Sequence, residues 1–197
     1  MPPRANLRIG FFFYLCSLNV RLTMNTTFLK DCLADALIAL LEERRFEEIN
    51  IQDIAEKAGY HRASWFRNFK SKHEAVTYKM VRLWDNWSAT HGVTVKDEFT
   101  LDNAVTFFQY NYEIRDTLRL LNRRGLMPEV QESFMVILYE RHRDDAEQSY
   151  ANAIYANALF GILKEWVLRD FKETPEQMAD IITRSFNGHC RPRSWRR

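Results

Sequence analysis

The 197-residue sequence predicts an all-α protein, on three observations. Six glycines and five prolines are few for this length, and long stretches lack both. Apolar residues recur at helical spacing, and β-branched alternations are scarce. Hydrophobic residues make up 46% and charged residues 27%, enough to fill a core and wet a surface. The length suits one large domain or two small ones. The net charge of +2 names no partner, so only local charge is informative. Cys16, Cys32 and Cys190 give neither a disulfide framework nor a metal-ligand pair, and are expected as reduced thiols.

Residues 1–23 carry two arginines, Arg4 and Arg8, and then an apolar run from Ile9 to Val20 that loosely resembles a secretory signal. The run is shorter than the ~20 residues a membrane span needs. No small-x-small cleavage site follows it. It is expected to be a disordered or mis-assigned extension, with Met24 as the start.

Helix by helix, the pattern then reads as follows. Asn25, Thr26 and Thr27 are cap-type residues before a helix to about Arg44, with Phe28, Cys32, Leu33, Ala36, Leu37, Leu40 and Leu41 on its apolar side. Phe46 and Ile49 lie in a connector. Asn50 caps a second helix to about Lys57, closed by Gly59. A third spans 62–69 and a fourth begins near His73 and runs to Thr90. "HGVTVKDEFT" reads as a loop. Further helices are expected from Leu101 to Tyr112, Ile114 to Arg124, Pro128 to about Gln148 and Ser149 to Phe171. A last one opens at Thr174-Pro175, with Glu176 and Gln177 in its first turn, and ends near Gly188. The tail 189–197 is basic and expected to be flexible.

Two short helices joined by a glycine turn make a helix-turn-helix at residues 50–72. Ala55 is small where the helices cross, and Gly59 permits a positive φ. Trp65 and Phe69, four apart, anchor the second of these against the chain's first helix, the one that ends near Arg44. From Lys57 to His73 no carboxylate occurs, while Arg62, Arg67, Lys70 and Lys72 add positive charge. Such a basic face is often merely solvated. Here it meets the demands of a major-groove reader, whose recognition helix opens on base-edge contacts. Arg62 suits guanine, Ser64 and Asn68 are tolerant hydrogen-bonding groups, and Lys70 and Lys72 suit phosphates. The start of the fourth helix is expected to add backbone N–H groups to an anion site.

The stretch "LADALIALLEERRFEEINIQDIAEKAGYHRASWFRNFKSKHEAV", residues 33–76, resembles the DNA-binding domain of TetR-type (tetracycline-repressor-like) transcriptional regulators. The resemblance rests on the Ile-Ala-x-x-Ala-Gly core and the Phe-x-x-Lys that opens the fourth helix. It implies a DNA-binding domain at 24–72 and an effector-binding and dimerisation domain at 73–188. It implies that Asn50 stands at a phosphate-contacting cap, Arg62 and Ser64 at base-facing positions, and Lys72 at a lysine touching the DNA backbone. His61 stands where a Ser cap is usual, and Phe66 where a Tyr hydroxyl reaches phosphate. The candidate DNA-facing set is Asn50, Gln52, His61, Arg62, Ala63, Ser64, Phe66, Arg67 and Lys72.

Aromatic residues crowd the C-terminal two-thirds. As a ligand pocket between helices the sequence offers Trp84, Trp87, Phe107, Phe108, Tyr110, Phe134, Leu138 and Tyr139, although each ring alone suits a core. Arg115, Arg119, Arg123 and Arg124 suit either an acidic effector or a solvated face. "YANALFGILKEWVLRDFKETPEQMADII" resembles the last two helices of some TetR-type proteins, which pack on their twofold mates. Tyr155, Leu159, Ile162, Leu163, Trp166, Met178 and Ile182 are accordingly expected at a homodimer interface. Five scattered histidines, no metal-ligand spacing and no phosphate-binding glycine loop argue against an enzyme, a metal or another cofactor. The expected function is a cytoplasmic DNA-binding regulator, a repressor bound to a double-stranded operator and modulated by a small ligand. The alternatives are a coactivator bound to another regulator without touching DNA, and a helical carrier or enzyme.

Overall fold

The computed structural model describes residues 26–93, 101–139 and 145–186. The expected N-terminal extension, most of the 91–100 loop and the basic tail lie outside the described residues. Those residues hold nine α-helices and one 3-10 turn, and no strand. The helices are α1 (26–43), α2 (Ile51–Ala58), α3 (Arg62–Asn68), α4 (Lys72–His91), α5 (Leu101–Glu113), α6 (Arg115–Arg123), α7 (Met127–Tyr139), α8 (Ala146–Leu168) and α9 (Pro175–Phe186). The turn is Phe46–Glu48. The chain divides into two compact units, Met1–Ala75 and Val76–Arg197.

In the first unit α1 supplies the floor. Leu33, Leu37 and Leu41 are wholly buried, on the apolar stripe read from the sequence. Asn50 caps α2 through a reciprocal box: its side chain accepts from Asp53 N–H at 3.0 Å, and Asp53 accepts from Asn50 N–H at 3.1 Å. Asp53 also accepts from Arg44, just past the end of α1, at 3.0 Å, which ties α2 to that end. Ile54 and Ala55 are fully buried, so the helices cross closely at the alanine. Gly59 turns the chain at φ +75°, the left-handed region that favours glycine.

In the second unit α5 packs on α6 and α9, α7 on α8, and α6 on both α7 and α8. Trp166 sits at its centre, wholly buried. Its ring stacks on Tyr112 at 5.9 Å and meets Phe108 and Phe171 at 5.5 and 4.9 Å. Its indole N–H donates to the Glu173 carbonyl at 3.1 Å. The α8–α9 corner holds two successive non-glycine residues in left-handed backbone, Asp170 (φ 58°) and Phe171 (φ 55°). That conformation costs about 1–2 kcal/mol per residue. Arg119 holds it: the guanidinium donates to Asp170 at 2.7 Å and Asp116 at 2.8 Å, and lies 5.3 Å from the Phe171 ring centre. The two carboxylates raise the Arg119 pKa.

Several boundaries differ from expectation. The single helix expected from Pro128 to Gln148 is two: α7 ends at Tyr139, and Ala146–Gln148 open α8. The start signal is Asp145, whose side chain accepts from Glu147 N–H at 2.9 Å. In the sequence the Asp pair reads as wet surface. α8 stops at Leu168 rather than Phe171 because of the left-handed corner. Thr174 caps α9 as expected: its hydroxyl accepts from Gln177 N–H at 3.3 Å, and Gln177 accepts from Thr174 N–H at 2.9 Å.

Candidate functional site

The site is built on α3, seven residues long rather than eight. Trp65 is wholly buried and Phe69 is 2% exposed, with rings 5.1 Å apart. Lys30 of α1 covers the Phe69 ring at 5.3 Å. The anchor on α1 therefore forms as the four-residue spacing requires. The Trp65 indole N–H is buried with no acceptor among the described residues, so shape rather than polarity seats it.

With that face inward, His61, Arg62, Ala63, Phe66 and Arg67 are exposed. Phe66 keeps 57% of its surface in solvent, unusual for so large an apolar ring. The Arg62 guanidinium lies 5.0 Å from the Phe66 ring centre, one helical turn away. Lys70, just past the helix, is also exposed. His61 makes no side-chain cap, so the departure from a Ser cap leaves α3 starting on backbone alone.

Three of the groups expected on this surface have partners within the chain itself. Ser64 points inward and is 6% exposed. Its carbonyl accepts from Asn68 Nδ2 at 2.7 Å, and its hydroxyl lies 3.5 Å from Arg67. In a helix this short, Ser64 follows Trp65 into the core. Lys72 also turns inward. Its ammonium donates to the Phe46 carbonyl at 2.5 Å and the Ile49 carbonyl at 2.6 Å, and lies 4.4 Å from the Phe46 ring centre. Burial lowers its pKa, with Glu47 acting the other way. Lys72 thus closes the connector between α1 and α2 from inside. The start of α4 is likewise occupied: Ser71 accepts from Glu74 N–H at 3.0 Å, and Glu74 accepts from Lys70 N–H at 2.6 Å. Asn50 and Gln52 are exposed, but Asn50 serves as the α2 cap and Gln52 donates to Glu56 at 2.6 Å.

The expected ligand-pocket rings fall into separate clusters. Trp84, Trp87 and Tyr110 contact one another across α4 and α5, with centroids 5.1 to 6.0 Å apart. Both tryptophans are half-buried. Trp87 donates to Glu113 at 2.9 Å and stacks with His91 at 4.1 Å. Tyr110 is 5% exposed, and its pKa is raised by burial and then by Asp85. Phe107 meets Phe134 at 5.8 Å, whereas Phe108 is wholly buried against Trp166. Phe108 is therefore core. The side chains of Leu138 and Tyr139 lie outside the described residues. Arg115 and Arg119 lie over Tyr112 and Phe171, so half of the arginine group is spent on internal rings.

The expected interface set is also split. Leu159, Leu163, Trp166 and Met178 are buried within the chain itself, with Trp166 at the core centre. Ile162 and Ile182 are half-buried, and Tyr155 is 47% exposed. The outward apolar residues of α8 are instead Tyr150 at 74%, Ile154 at 69% and Leu168 at 61%. α8 is apolar nearly all round, so periodicity alone does not tell its inner side from its outer.

Among the described residues no group of His, Cys, Asp and Glu is arranged to hold a metal. No helix among them is long and apolar enough to cross a membrane. A TetR-type family model described as the transcriptional regulator C-terminal region matches residues 107–188. No curated protein matches the chain significantly. The matched region runs from α5 through α9 and is distinct from residues 33–76, where the head resemblance lies. By that match residues 107–188 are similar to the C-terminal region of TetR-type transcriptional regulators.

Proposed function

We propose that the chain is a homodimeric repressor of the bacterial cytoplasm that reads double-stranded DNA through α3. One observation carries the reading: α3 has no carboxylate, and it exposes Arg62, Phe66 and Arg67 above a buried Trp65–Phe69 anchor. A short helix held this way suits the major groove, where base edges are legible. Arg62, Phe66 and Ala63 are the base-facing residues in this proposal. His61, Arg67 and Lys70 belong to the phosphates. Asn50 and Gln52 flank the DNA backbone at the start of α2. Ser64 and Lys72 are left out of the contact set and act by holding the head together.

The dimer rests on α8. Four of the six large hydrophobic side chains that stand exposed among the described residues are on this helix: Tyr150, Ile154, Tyr155 and Leu168. Ile154, Gly161 and Leu168 recur every seven residues on one side. A Cβ built on Gly161 would meet nothing within 4 Å. Glycine within a helix costs about 0.5–1 kcal/mol relative to alanine. An open-faced glycine between apolar residues fits close approach of a second helix. In this proposal the half-buried Ile182 of α9 lies at the margin of that interface. The half-buried Trp84 and Trp87, with Tyr110, face a small effector whose preference for one conformation alters operator affinity.

The test is fluorescence anisotropy on a duplex enriched by the protein from a random pool. Arg62→Ala is expected to weaken binding by about 1–3 kcal/mol and to relax base preference. Raising salt is expected to weaken it steeply, because each neutralised phosphate releases counterions. Binding that ignores both would refute the reading. The coactivator alternative is favoured by Phe66, which has no hydroxyl to offer a phosphate. It predicts no enriched duplex and a stable complex with another regulator.

A further inference from the structure

We infer that Arg62 and Phe66 act as one unit that reads a guanine and an adjacent thymine, with Phe66 reading the thymine methyl group. The inference rests on the DNA-reading role of α3 and adds the base step it selects.

Phe66 is exposed to 57%, on the same side of α3 as Arg62. A phenyl ring offers DNA no hydrogen bond, so its stabilising contact is apolar. In the major groove the C5-methyl of thymine is the distinctive apolar group. The other bases present donors and acceptors that a phenyl ring leaves unsatisfied, at a cost. Apart from the Arg62 guanidinium, no polar group of α3 is placed against the ring. Ser64, the nearest hydroxyl in the helix, is turned inward at 6% exposure.

Arg62 belongs to the same unit because its guanidinium lies 5.0 Å from the Phe66 ring centre. No carboxylate among the described residues forms an ion pair with it. A guanidinium stacked on a ring loses rotamer freedom and keeps its N–H edge available for the bidentate O6/N7 contact with guanine. The 5.0 Å between the two groups is less than two base steps, each about 3.4 Å along a strand. The bases they meet are therefore neighbours. Replacing Phe66 removes the methyl contact and also frees Arg62, so the two preferences are coupled.

The experiment uses the full chain. A duplex enriched from a random pool is resynthesised with each thymine in turn replaced by deoxyuridine, which deletes only the methyl. One thymine per half-site, beside a guanine, is expected to show binding about fourfold weaker on replacement, the effect of one buried methyl. Phe66→Ala is expected to abolish that penalty, and Phe66→Leu, which keeps an apolar contact, to retain part of it. Arg62→Ala is expected to erase preference at the guanine while the thymine penalty shrinks. An enriched duplex indifferent to deoxyuridine throughout, or a penalty unchanged in Phe66→Ala, would overturn this inference and leave DNA reading intact. Failure to enrich any duplex would overturn both.

Discussion

Removing the Lys72 ammonium would leave two connector carbonyls, those of Phe46 and Ile49, without their donor. Lys72→Ala is therefore expected to destabilise the protein by about 1–3 kcal/mol, the cost of stranding buried acceptors, as read by urea denaturation. The effect on stability should appear in the absence of DNA. A Lys72 that serves chiefly as a phosphate contact would instead leave the urea midpoint unmoved and reduce the salt slope of DNA binding. Residue type and spacing made the anchor legible: Trp65 and Phe69 are buried where their four-residue interval puts them. They did not reveal which cations face outward. Lys72 and Arg67 look alike in a string, but one reaches the carbonyls of a connector more than twenty residues earlier, a contact that only the folded chain brings together. The inward turn of Ser64 has a related cause. Its neighbour Trp65 fixes the rotation of a helix only seven residues long, and that rotation carries Ser64 inward.

At the scale of elements, caps were the most readable signals. Asn50, Gly59 and the Thr174–Gln177 box stand where local chemistry puts them. The α8–α9 corner was not readable, because its left-handed Asp170 and Phe171 depend on Arg119, some fifty residues away in sequence. Glu173 marks the same corner. Its carboxylate accepts from Arg169, chiefly for which its pKa lies below the ordinary 4.5. A carboxylate so depressed stabilises the fold above its ordinary pKa, and the contribution is lost as pH falls through its folded value. Glu173→Gln is thus expected to lower the melting temperature at neutral pH, with the gap to the parent closing as the solution is acidified below about 4.5. Parallel melts of the two proteins across pH check this. A gap that persists in acid would mean that Glu173 acts by shape rather than charge.

For the whole molecule, the all-helical class was legible from scarce glycine and proline, but the outer face of α8 was not. A helix with apolar residues on both its inner and its outer side hides which side the chain itself covers. Folding assigns Leu163 and Trp166 to the core and leaves Tyr150, Ile154 and Leu168 outside. Ile154→Arg, two turns from the open Gly161 on the same side of α8, is expected to convert a dimer to a monomer in sedimentation velocity with helical content unchanged. A dimer that survives would place the interface elsewhere. Two coupled heads also predict paired half-sites in the bound DNA. The decisive measurement is enrichment of duplexes from a random pool by the full-length protein, followed by sequencing. Enriched sequences should carry inverted half-sites and should lose their base preference when Arg62 is replaced by alanine. A pool that emerges with no sequence enriched over the input, from a protein shown to be folded and dimeric, would contradict the account of α3 as a reading helix.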